Sequence, residues 1–590
     1  MAESKTIVLA IILIAVILAG GIYFIYFMQP PPVEEPEAPP EQPPPEKPPE
    51  EPPPVEAPSF VGQITVLRDN APKSLDPTKT TWTNDYGIIA NIYGTLVGYE
   101  RGTRNLVPDL AESWEISEDG LEYTFYLREG VKWHKDWGEF TAEDVKFTFD
   151  RILNPNISVI YRGLFSALDR VEIIDEYTVK FILKTPDPAF LYLLAPYRNA
   201  FIICKAYYES LEDPETEYGK APVGTGPYEF VSYNEETGEV RLTAFEEYYG
   251  WDPGLHVKDI IYRPIADDDL RFQAFLAGEA DVYEVTDPEK LVQLRELEAA
   301  GEIVIIEEVG TGINSLIFNM ETDIYLSDIR VRKAFAHAVN RTYIVKDILG
   351  DTVVEAVGWL PVGGYLYATN EVPQYEYNLD IARELIQDFL ADTGYTNITI
   401  KFQLPNAFPY VEIAEYVQYQ MAQVGVNVEL VVMDFASWYD ALVVKGVSNL
   451  TYLPLGGRPP EPSIILKTCF SVDSIPPGGI NFARYRGIDS MINDALTAMD
   501  EGVRAQIYKD IQVKLMEDLP VYPLYYGKII IAMKKNIKNL TPDNFNWYGD
   551  WMEYVYIEEA SPAPSPSAIG ILYPVYAIPP VFKLGFRRRN

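Results

Sequence analysis

Few side chains in this chain have the type and spacing that catalysis requires. The 590 residues include three histidines, His134, His256 and His337, a small number for an enzyme that uses imidazole as acid or base. The sequence contains no nucleophile elbow G-x-S-x-G, no P-loop, no H-E-x-x-H and no complete G-x-G-x-x-G. Acidic pairs are frequent, but nothing selects one pair as a glycosidase dyad. We expect no catalytic residues and no enzymatic activity.

Three consecutive carboxylates, Asp267 to Asp269, invite a metal interpretation. Adjacent side chains on a helix do not converge on one ion, so an N-cap and first turn of a helix that ends at Gly278 is favoured. His134 and His337 are more typical of structural residues, and His256 stands alone after a Pro-Gly turn, so a nickel site is also disfavoured. We expect no metal site and no cofactor.

Aromatic residues are the second group that could do chemistry, here by binding. The chain has 42 Tyr and 9 Trp, and flat rings with polar rims suit sugars and other ligands in pockets. Our candidates in polar or glycine-rich stretches are Trp82, Tyr86, Trp359, Tyr365 and Trp438. Each residue is individually more typical of a core position.

The charge balance restricts the partners. With 48 basic and 87 acidic residues, the net charge of −39 argues against nucleic acid and is typical of a solvated acidic surface.

The first 59 residues predict a membrane tether. Ile7 to Met28 is an uncharged run of 22 residues, long enough to span a bilayer as a helix and long for a secretory signal. Residues 29–59 hold 15 Pro and favour an extended stalk on the order of 95 Å long. We expect an anchor or signal segment at 1–28, a stalk at 29–59, and a monomeric head on the extracellular side of the cell membrane.

The other end and the cysteines are less informative. Residues 560–590 predict a flexible tail, with a second anchor or sorting signal as an alternative, since the apolar run from Ile569 to Phe582 is short and contains prolines. Cys204 and Cys469 are both flanked by apolar residues, which favours buried free thiols over a disulfide.

The stretch from Asp109 to Arg151 contains the clearest structural signals. The segment Glu118-Asp119-Gly120 predicts a turn, and the alternating apolar residues from Leu121 to Leu127 predict a half-buried hairpin strand. Thr141 predicts a helix N-cap, and Val145, Phe149 and Ile152 give that helix one apolar face.

This stretch resembles the signature of the family 5 solute-binding proteins of ABC importers, in the form LAESW-x-x-S-x-DG-x-x-YTF-x-LR-x-GVK-x-H followed by FTAEDV-x-F-TF-DR. Ser74 to Pro77, Pro222 to Tyr228 and Ile313 to Arg341 are similar to further segments of that family. The resemblance covers most of residues 62–556 and, with the tether, points to an archaeal-type, membrane-anchored form.

The resemblance implies a type II periplasmic-binding-protein-like α/β fold, with two lobes around a cleft and an extra domain inserted in lobe I. We expect lobe I at 60–92, 223–310 and 520–559, the inserted domain at 93–222, and lobe II at 311–519. Pro520 to Ile531 fits short apolar strands that return to lobe I.

The loop from Asn449 to Pro462 departs from the peptide-binding pattern that the resemblance supplies. In peptide-binding members an Asp in a Gly-Trp-x-x-Asp-x-x-Asp-Pro loop holds the ammonium of the ligand. If Glu461-Pro462 aligns with the second Asp-Pro, Arg458 takes the place of that Asp, with a charge that suits a carboxylate, phosphate or sugar hydroxyl. Gly457 and Tyr452 in the same stretch are further candidate ligand contacts.

From the resemblance we expect a receptor that binds a small solute and passes it to ABC permease subunits by hinge closure. Oligopeptides are the favoured ligands, and oligosaccharides are the alternative because some relatives bind them. The alternative from another functional class is a secreted hydrolase or a structural cell-surface protein.

Overall fold

The computed structural model describes residues 57–80, 83–100, 103, 105–157, 159, 162–196, 200–362, 365–455, 461–476, 479–541 and 552–558. All of them belong to one compact unit, Ala57–Asn590. Within these ranges no helix is both long and apolar enough to cross a bilayer. The predicted anchor lies outside the described residues, as do most of the stalk and the tail from residue 560 on.

The strands are β1 (Ser59–Arg68), β2 (Val97–Tyr99), β3 (Leu106–Pro108), β4 (Ala111–Ile116), β5 (Glu122–Leu127), β6 (Leu168–Asp175), β7 (Thr178–Leu183), β8 (Tyr228–Tyr233), β9 (Val240–Ala244), β10 (Leu255–Pro264), β11 (Val282–Glu284), β12 (Ile303–Phe318), β13 (Val353–Glu355), β14 (Ile398–Pro405), β15 (Val426–Met433), β16 (Leu450–Leu455), β17 (Val521–Lys534), β18 (Ile537–Lys538) and β19 (Tyr556–Ile557).

In the described part of the chain the α-helices of five or more residues are α1 (Thr83–Ile92), α2 (Ala142–Leu153), α3 (Lys205–Ser210), α4 (Asp268–Leu276), α5 (Pro288–Ala299), α6 (Ile329–Ala338), α7 (Leu379–Thr393), α8 (Tyr410–Gln423), α9 (Phe435–Tyr439), α10 (Pro462–Phe470), α11 (Asp489–Thr497) and α12 (Glu501–Asp518).

One large mixed sheet organises the fold. Its order is β15-β14-β16-β12-β17-β11-β1-β10-β9-β8, with β13 added beside β17. The two long central strands, β12 and β17, are antiparallel and belong to both halves of this sheet. Their pairing shifts register between Val309 and Ile313, where the sheet passes from one half to the other. These two strands are therefore the covalent connection between the halves.

Strand β17 corrects one expectation. The segment after Pro520 is not a set of short strands but a single 14-residue strand, Val521–Lys534. It stays continuous because β12 pairs with it from Ile303 to Ile317. β11 and β13 form shorter antiparallel pairings with β17.

A second sheet of four strands, in the order β4-β5-β7-β6, lies outside the large sheet. Its core contains Phe125, Phe149 and Phe181, whose rings meet edge to face at centroid distances of 4.8 to 5.4 Å. Ile203 and Tyr218 also belong to the predicted inserted domain. They pack with Ile64 of lobe I, in the core beneath β1. We keep the names lobe I, inserted domain and lobe II for the predicted segments, whose boundaries stay predictions.

The lobe II half of the large sheet is covered on both faces. Leu316 and Phe318 on β12 pack in one cluster with α6, α7 and α8. Ile317, which alternation places on the opposite face, packs in another cluster with α10, α11 and α12. The sheet is thus a buried central layer, as in other α/β folds.

The local predictions around helix ends are confirmed. Thr141 caps α2 in a capping box with Asp144, and the side chain of Asp267 accepts from the backbone N–H of Leu270 at the start of α4. Gly278 follows α4 with a φ of 78°. Val145, Phe149 and Ile152 of α2 are fully buried. Cys204 and Cys469 are buried free thiols, as expected.

Candidate functional site

A buried ion pair joins the first loop of lobe I to the inserted domain. Asp76 follows β1, and Arg151 lies in the last turn of α2; both side chains are 2 % exposed. The two guanidinium nitrogens of Arg151 donate to the two carboxylate oxygens of Asp76 at 3.3 and 2.9 Å. Glu215 and the ring of Tyr208 complete the surroundings of the guanidinium. The loop from Ser74 to Pro77 is therefore held rigidly.

Asp85 braces the same loop from α1. Its carboxylate accepts from the backbone N–H groups of Lys73 and Ser74 and from the hydroxyl of Thr80. Burial raises the pKa of Asp85, and these hydrogen bonds oppose that effect. The candidate Tyr86 is half-buried and donates its hydroxyl to the carbonyl of Thr80 at 2.8 Å. The candidate Trp82 lies outside the described residues.

The four aromatic candidates of lobe II lie in the core. Trp359, Tyr365 and Trp438 belong to one hydrophobic cluster and are 0 to 3 % exposed. Tyr452, which is 1 % exposed, packs on the other face of the sheet, where its hydroxyl bonds Asn314 at 3.1 Å. The fold thus brings three of the four together, and their contact with a ligand stays a prediction.

The loop with Gly457 and Arg458 lies outside the described residues, but both of its flanks are described. Leu455 ends β16, and Glu461 caps α10 by accepting from the backbone N–H of Ser463 at 2.8 Å. Glu461 is fully buried, and its other carboxylate oxygen accepts from the hydroxyl of Tyr508. Burial raises the pKa of Glu461. This carboxylate holds the C-terminal flank of the loop instead of facing solvent.

The inserted domain touches lobe II along a contact that we call the seam. Ile464 of α10 packs against the hydrophobic core of the inserted domain. A Cβ on Gly120 would lie 2.8 Å from Cε of Met499. Burial raises the pKa of Tyr192, with Tyr367 and Glu461 across the seam as further causes. Glu461 and Ile464, which follow the loop in the sequence, therefore lie in a region where two domains meet.

A cavity of about 530 Å³ opens in the seam. Its lining combines Gly163, Leu164, Ser166, Asp187, Ala189 and Leu193 from the inserted domain with Ser463, Ile464, Lys467, Thr468, Ser474, Gly479, Ile480 and Leu496 from lobe II. The volume falls within the range of ligand pockets, and both domains are needed to form the walls.

Two opposite charges line this cavity. Asp187 follows β7, and burial raises its pKa while the charge of Lys467 lowers it. Lys467 is exposed on α10, and its ammonium makes no ion pair within the described part of the chain. The rest of the lining is largely aliphatic or hydroxylic. A solute with both charge signs and an apolar side chain matches these walls.

Sequence reasoning did not select Asp187 or Lys467. Asp187 stands in an ordinary Pro-Asp-Pro turn, and Lys467 follows an aliphatic run on α10, so neither has a chemical motif around it. Glu461 and Pro462, which the sequence analysis used only to align the loop, form the start of α10. Asp187 lies about 280 residues before Lys467 in the chain, and no local sequence pattern indicates that the two residues face each other.

The histidines make backbone contacts. The Nε2 of His134 lies 2.9 Å from the carbonyl of Gly226, and its Nδ1 accepts from the backbone N–H of Gly224 at 3.3 Å. His256 is buried, and its two ring nitrogens each lie 2.7 Å from a backbone carbonyl. Among the described residues no group of three or more His, Cys, Asp or Glu side chains could hold a metal ion.

Residues 105–476 match the family model described as bacterial extracellular solute-binding proteins, family 5 middle. The dipeptide-binding protein of Escherichia coli is 27% identical over 80% of this chain and 91% of its own length. The glutathione-binding protein GsiB of Pectobacterium atrosepticum is 31% identical over 79% of this chain and 88% of its own length.

Solved structures show the same fold. The periplasmic binding protein DppA of Helicobacter pylori, solved in complex with the peptide STSA, is 26% identical with a TM-score of 0.70. That comparison covers 86% of this chain and 99% of the other. HbpA2 from Haemophilus parasuis is 27% identical with a TM-score of 0.74, covering 84% of this chain and all of the other.

Proposed function

The chain belongs to the family 5 extracellular solute-binding proteins of ABC importers, and from this premise we propose that it captures oligopeptides and delivers them to a membrane permease. The observation that carries this proposal is the match to peptide receptors, which covers 80% of the chain for the dipeptide-binding protein and 86% for DppA.

The seam cavity supports a peptide as the ligand. Lys467 offers a cation for a ligand carboxylate, Asp187 lies on the opposite side of the seam, and Leu164 and Ile464 offer an apolar wall. A short peptide carries both charges and side chains of this kind. Arg458 stays a predicted carboxylate contact, and Gly457 stays a predicted ligand contact.

Delivery requires that the lobes open and close, and β12 and β17 are the place for that motion. Gly310 and Gly312 lie within the register shift of β12 between Val309 and Ile313, and Gly527 of β17 has no neighbouring atom within 4 Å of a Cβ built on it. Glycine adopts a wide range of backbone angles, so these positions can absorb a change in strand direction. A ligand that contacts both walls of the seam stabilises the closed form.

We further propose that the receptor is tethered in an archaeal-type manner. Residues 1–28 anchor it as a single span, residues 29–59 hold the head away from the bilayer, and the head faces the outside. An intact-mass measurement of the protein extracted from membranes tests the tether, and a mature chain that begins after Met28 contradicts it.

Ligand binding is tested on the full chain by thermal shift with di- to hexapeptides and, in parallel, oligosaccharides. A peptide at a concentration of 100 times its Kd adds about 2.7 kcal/mol of apparent stability. Arg458→Ala and Lys467→Met should weaken peptide binding, because each removes a cation opposite the ligand. The matched control is Arg383→Ala, whose guanidinium is 42% exposed on α7 and pairs with Asp380 in the same helix.

Stabilisation by oligosaccharides and by no peptide overturns the peptide proposal. Equal peptide affinity in Arg458→Ala, Lys467→Met and the control refutes the assignment of the two cations, even if peptides bind.

A further inference from the structure

A second cavity, of about 240 Å³, lies away from the seam at the junction between lobe I and the inserted domain. The end of α1, the β2–β3 hairpin and residues 226–227, 248–250 and 553–554 form its walls. None of these residues lines the seam cavity, so the two spaces are separate features of the chain.

Aromatic rings dominate the lining of this junction cavity. The six rings are Tyr93, Tyr99, Phe201, Tyr248, Tyr249 and Tyr554. The rings of Tyr248 and Tyr249 lie 4.7 Å apart between centroids at an angle of 51°, so they present faces in different directions. Faces of aromatic rings attract cations through the ring quadrupole.

Two carboxylates add negative charge to the same walls, Asp109 after β3 and Glu553 near the end of the described chain. Asp109 accepts from the backbone N–H and the hydroxyl of Thr95 at 3.0 and 3.2 Å and from the hydroxyl of Tyr249. Three acceptor positions of about four are thus in use, which leaves one for a ligand. Burial raises the pKa of Asp109, so a cation beside it would favour its charged form.

The protein already places one cation on this aromatic surface. The guanidinium carbon of Arg128 lies 5.0 Å from the centroid of the Tyr249 ring, and its Nε donates to the backbone carbonyl of Asp109 at 3.2 Å. The Nη1 of Arg128 lies 3.6 Å from a carboxylate oxygen of Glu112, a residue that does not line the cavity. The charge of Arg128 is therefore partly neutralised by Glu112.

We propose that the junction cavity is a second binding site, specific for a small organic cation such as a quaternary or primary ammonium. An anion would meet two carboxylates, and an uncharged apolar molecule would leave Asp109 without a new partner. An ammonium group contacts ring faces and a carboxylate at once, which is the combination that such a group needs after it leaves water. This site is independent of the peptide site and of its ligand.

The test uses the purified full chain and choline chloride as the probe, titrated by thermal shift and calorimetry at constant ionic strength adjusted with NaCl. The matched control ligand is 3,3-dimethyl-1-butanol, which has the shape of choline without its charge. We expect a saturable stabilisation by choline and none by the alcohol. Equal responses to the two compounds overturn the proposal.

Two variants give opposite expectations. Asp109→Asn should weaken choline binding at least about tenfold, because it removes the charge that faces the ammonium. Arg128→Gln should strengthen binding about two- to fivefold, because it removes a partly exposed like charge and frees the face of Tyr249. Loss of folding cannot imitate a gain in affinity, so Arg128→Gln decides the matter even if Asp109→Asn does not fold.

The control variant is Arg170→Gln, whose guanidinium is 53% exposed on β6 and pairs with Asp169 and Glu172. It should leave the affinity for choline unchanged. Unchanged affinity in Asp109→Asn, or weaker binding in Arg128→Gln, refutes the site. Peptide binding is measured on the same samples, so failure of the choline test and failure of the peptide proposal are distinguishable.

Discussion

Replacement of His134 by glutamine should make the protein less sensitive to acid. His134 is fully buried at the point where the inserted domain meets the return segment to lobe I. Nδ1 accepts from the backbone N–H of Gly224, so the neutral ring carries its proton on Nε2 and donates it to the carbonyl of Gly226. Protonation of Nδ1 removes that acceptor. Burial also disfavours the charged ring, and it lowers the pKa of His134 from 6.5 to about 4.

The sign and size of the effect follow from proton linkage. Between pH 6.5 and about 4 the unfolded chain binds a proton at this histidine and the folded chain does not, so stability falls as the pH falls. The full difference corresponds to about 3 kcal/mol, and about 2 kcal/mol is already lost at about pH 5. Glutamine carries no titrating group and removes this contribution.

The assay compares the native protein with His134→Gln at about pH 8 and about pH 5. The native protein should lose on the order of 4–8 °C more in Tm than the variant for a lobe-sized unit. Because a multidomain chain need not unfold in one step, hydrogen exchange of residues 222–228 provides a local measurement. After correction for the intrinsic pH dependence of exchange, protection there should fall in acid in the native protein and stay unchanged in the variant.

The control is His337→Gln. His337 contacts the carbonyl of Glu376 at the protein surface, so its replacement should leave the acid sensitivity unchanged. Equal loss of stability in the native protein and in His134→Gln would falsify the linkage argument. A similar change in His337→Gln would show that the effect is not specific to the buried ring.

Three further predictions concern buried contacts. Arg151→Met should destabilise the protein by about 3 kcal/mol in thermal unfolding, because it leaves Asp76 buried without its cation, while the exposed Arg170→Met should have little effect. Gly224→Ala should abolish folding, since its Cβ would lie 1.9 Å from the carbonyl oxygen of Ile92, whereas Gly527→Ala has space and should express normally; equal yields of soluble protein contradict this. Glu461→Gln should reduce the loss of stability as the pH rises above 4.5, because burial raises the pKa of that carboxylate, and an unchanged pH profile refutes this cause.

Local interactions explain why several predictions from the sequence succeed. The Thr141 cap and the Asp267 cap each require contacts within three residues, and the strand β5 follows from alternation over six residues. The same holds for the burial of Val145 and Phe149 on one face of α2. Such patterns need no knowledge of the rest of the chain.

The candidate site is harder to predict because its parts are distant in sequence. Asp76 and Arg151 are 75 residues apart, and Glu215 is a further 64 residues away, yet all three meet around one guanidinium. Aromatic composition suggested a ligand role for Trp359 and Trp438, but the cores of lobe II enclose them. Composition counts rings without telling which of them the packing encloses.

The sequence by itself determined the family, the acidic character of the molecule and the positions of a few elements such as β5, α2 and α4, because these depend on residue order and short-range contacts. The tertiary structure decided which charges face each other. The seam cavity with Asp187 and Lys467 and the junction cavity with Asp109 exist only after distant segments pack together. Bringing distant segments together costs chain entropy, and the burial of apolar surface across the whole fold offsets that cost. No single segment therefore encodes these contacts.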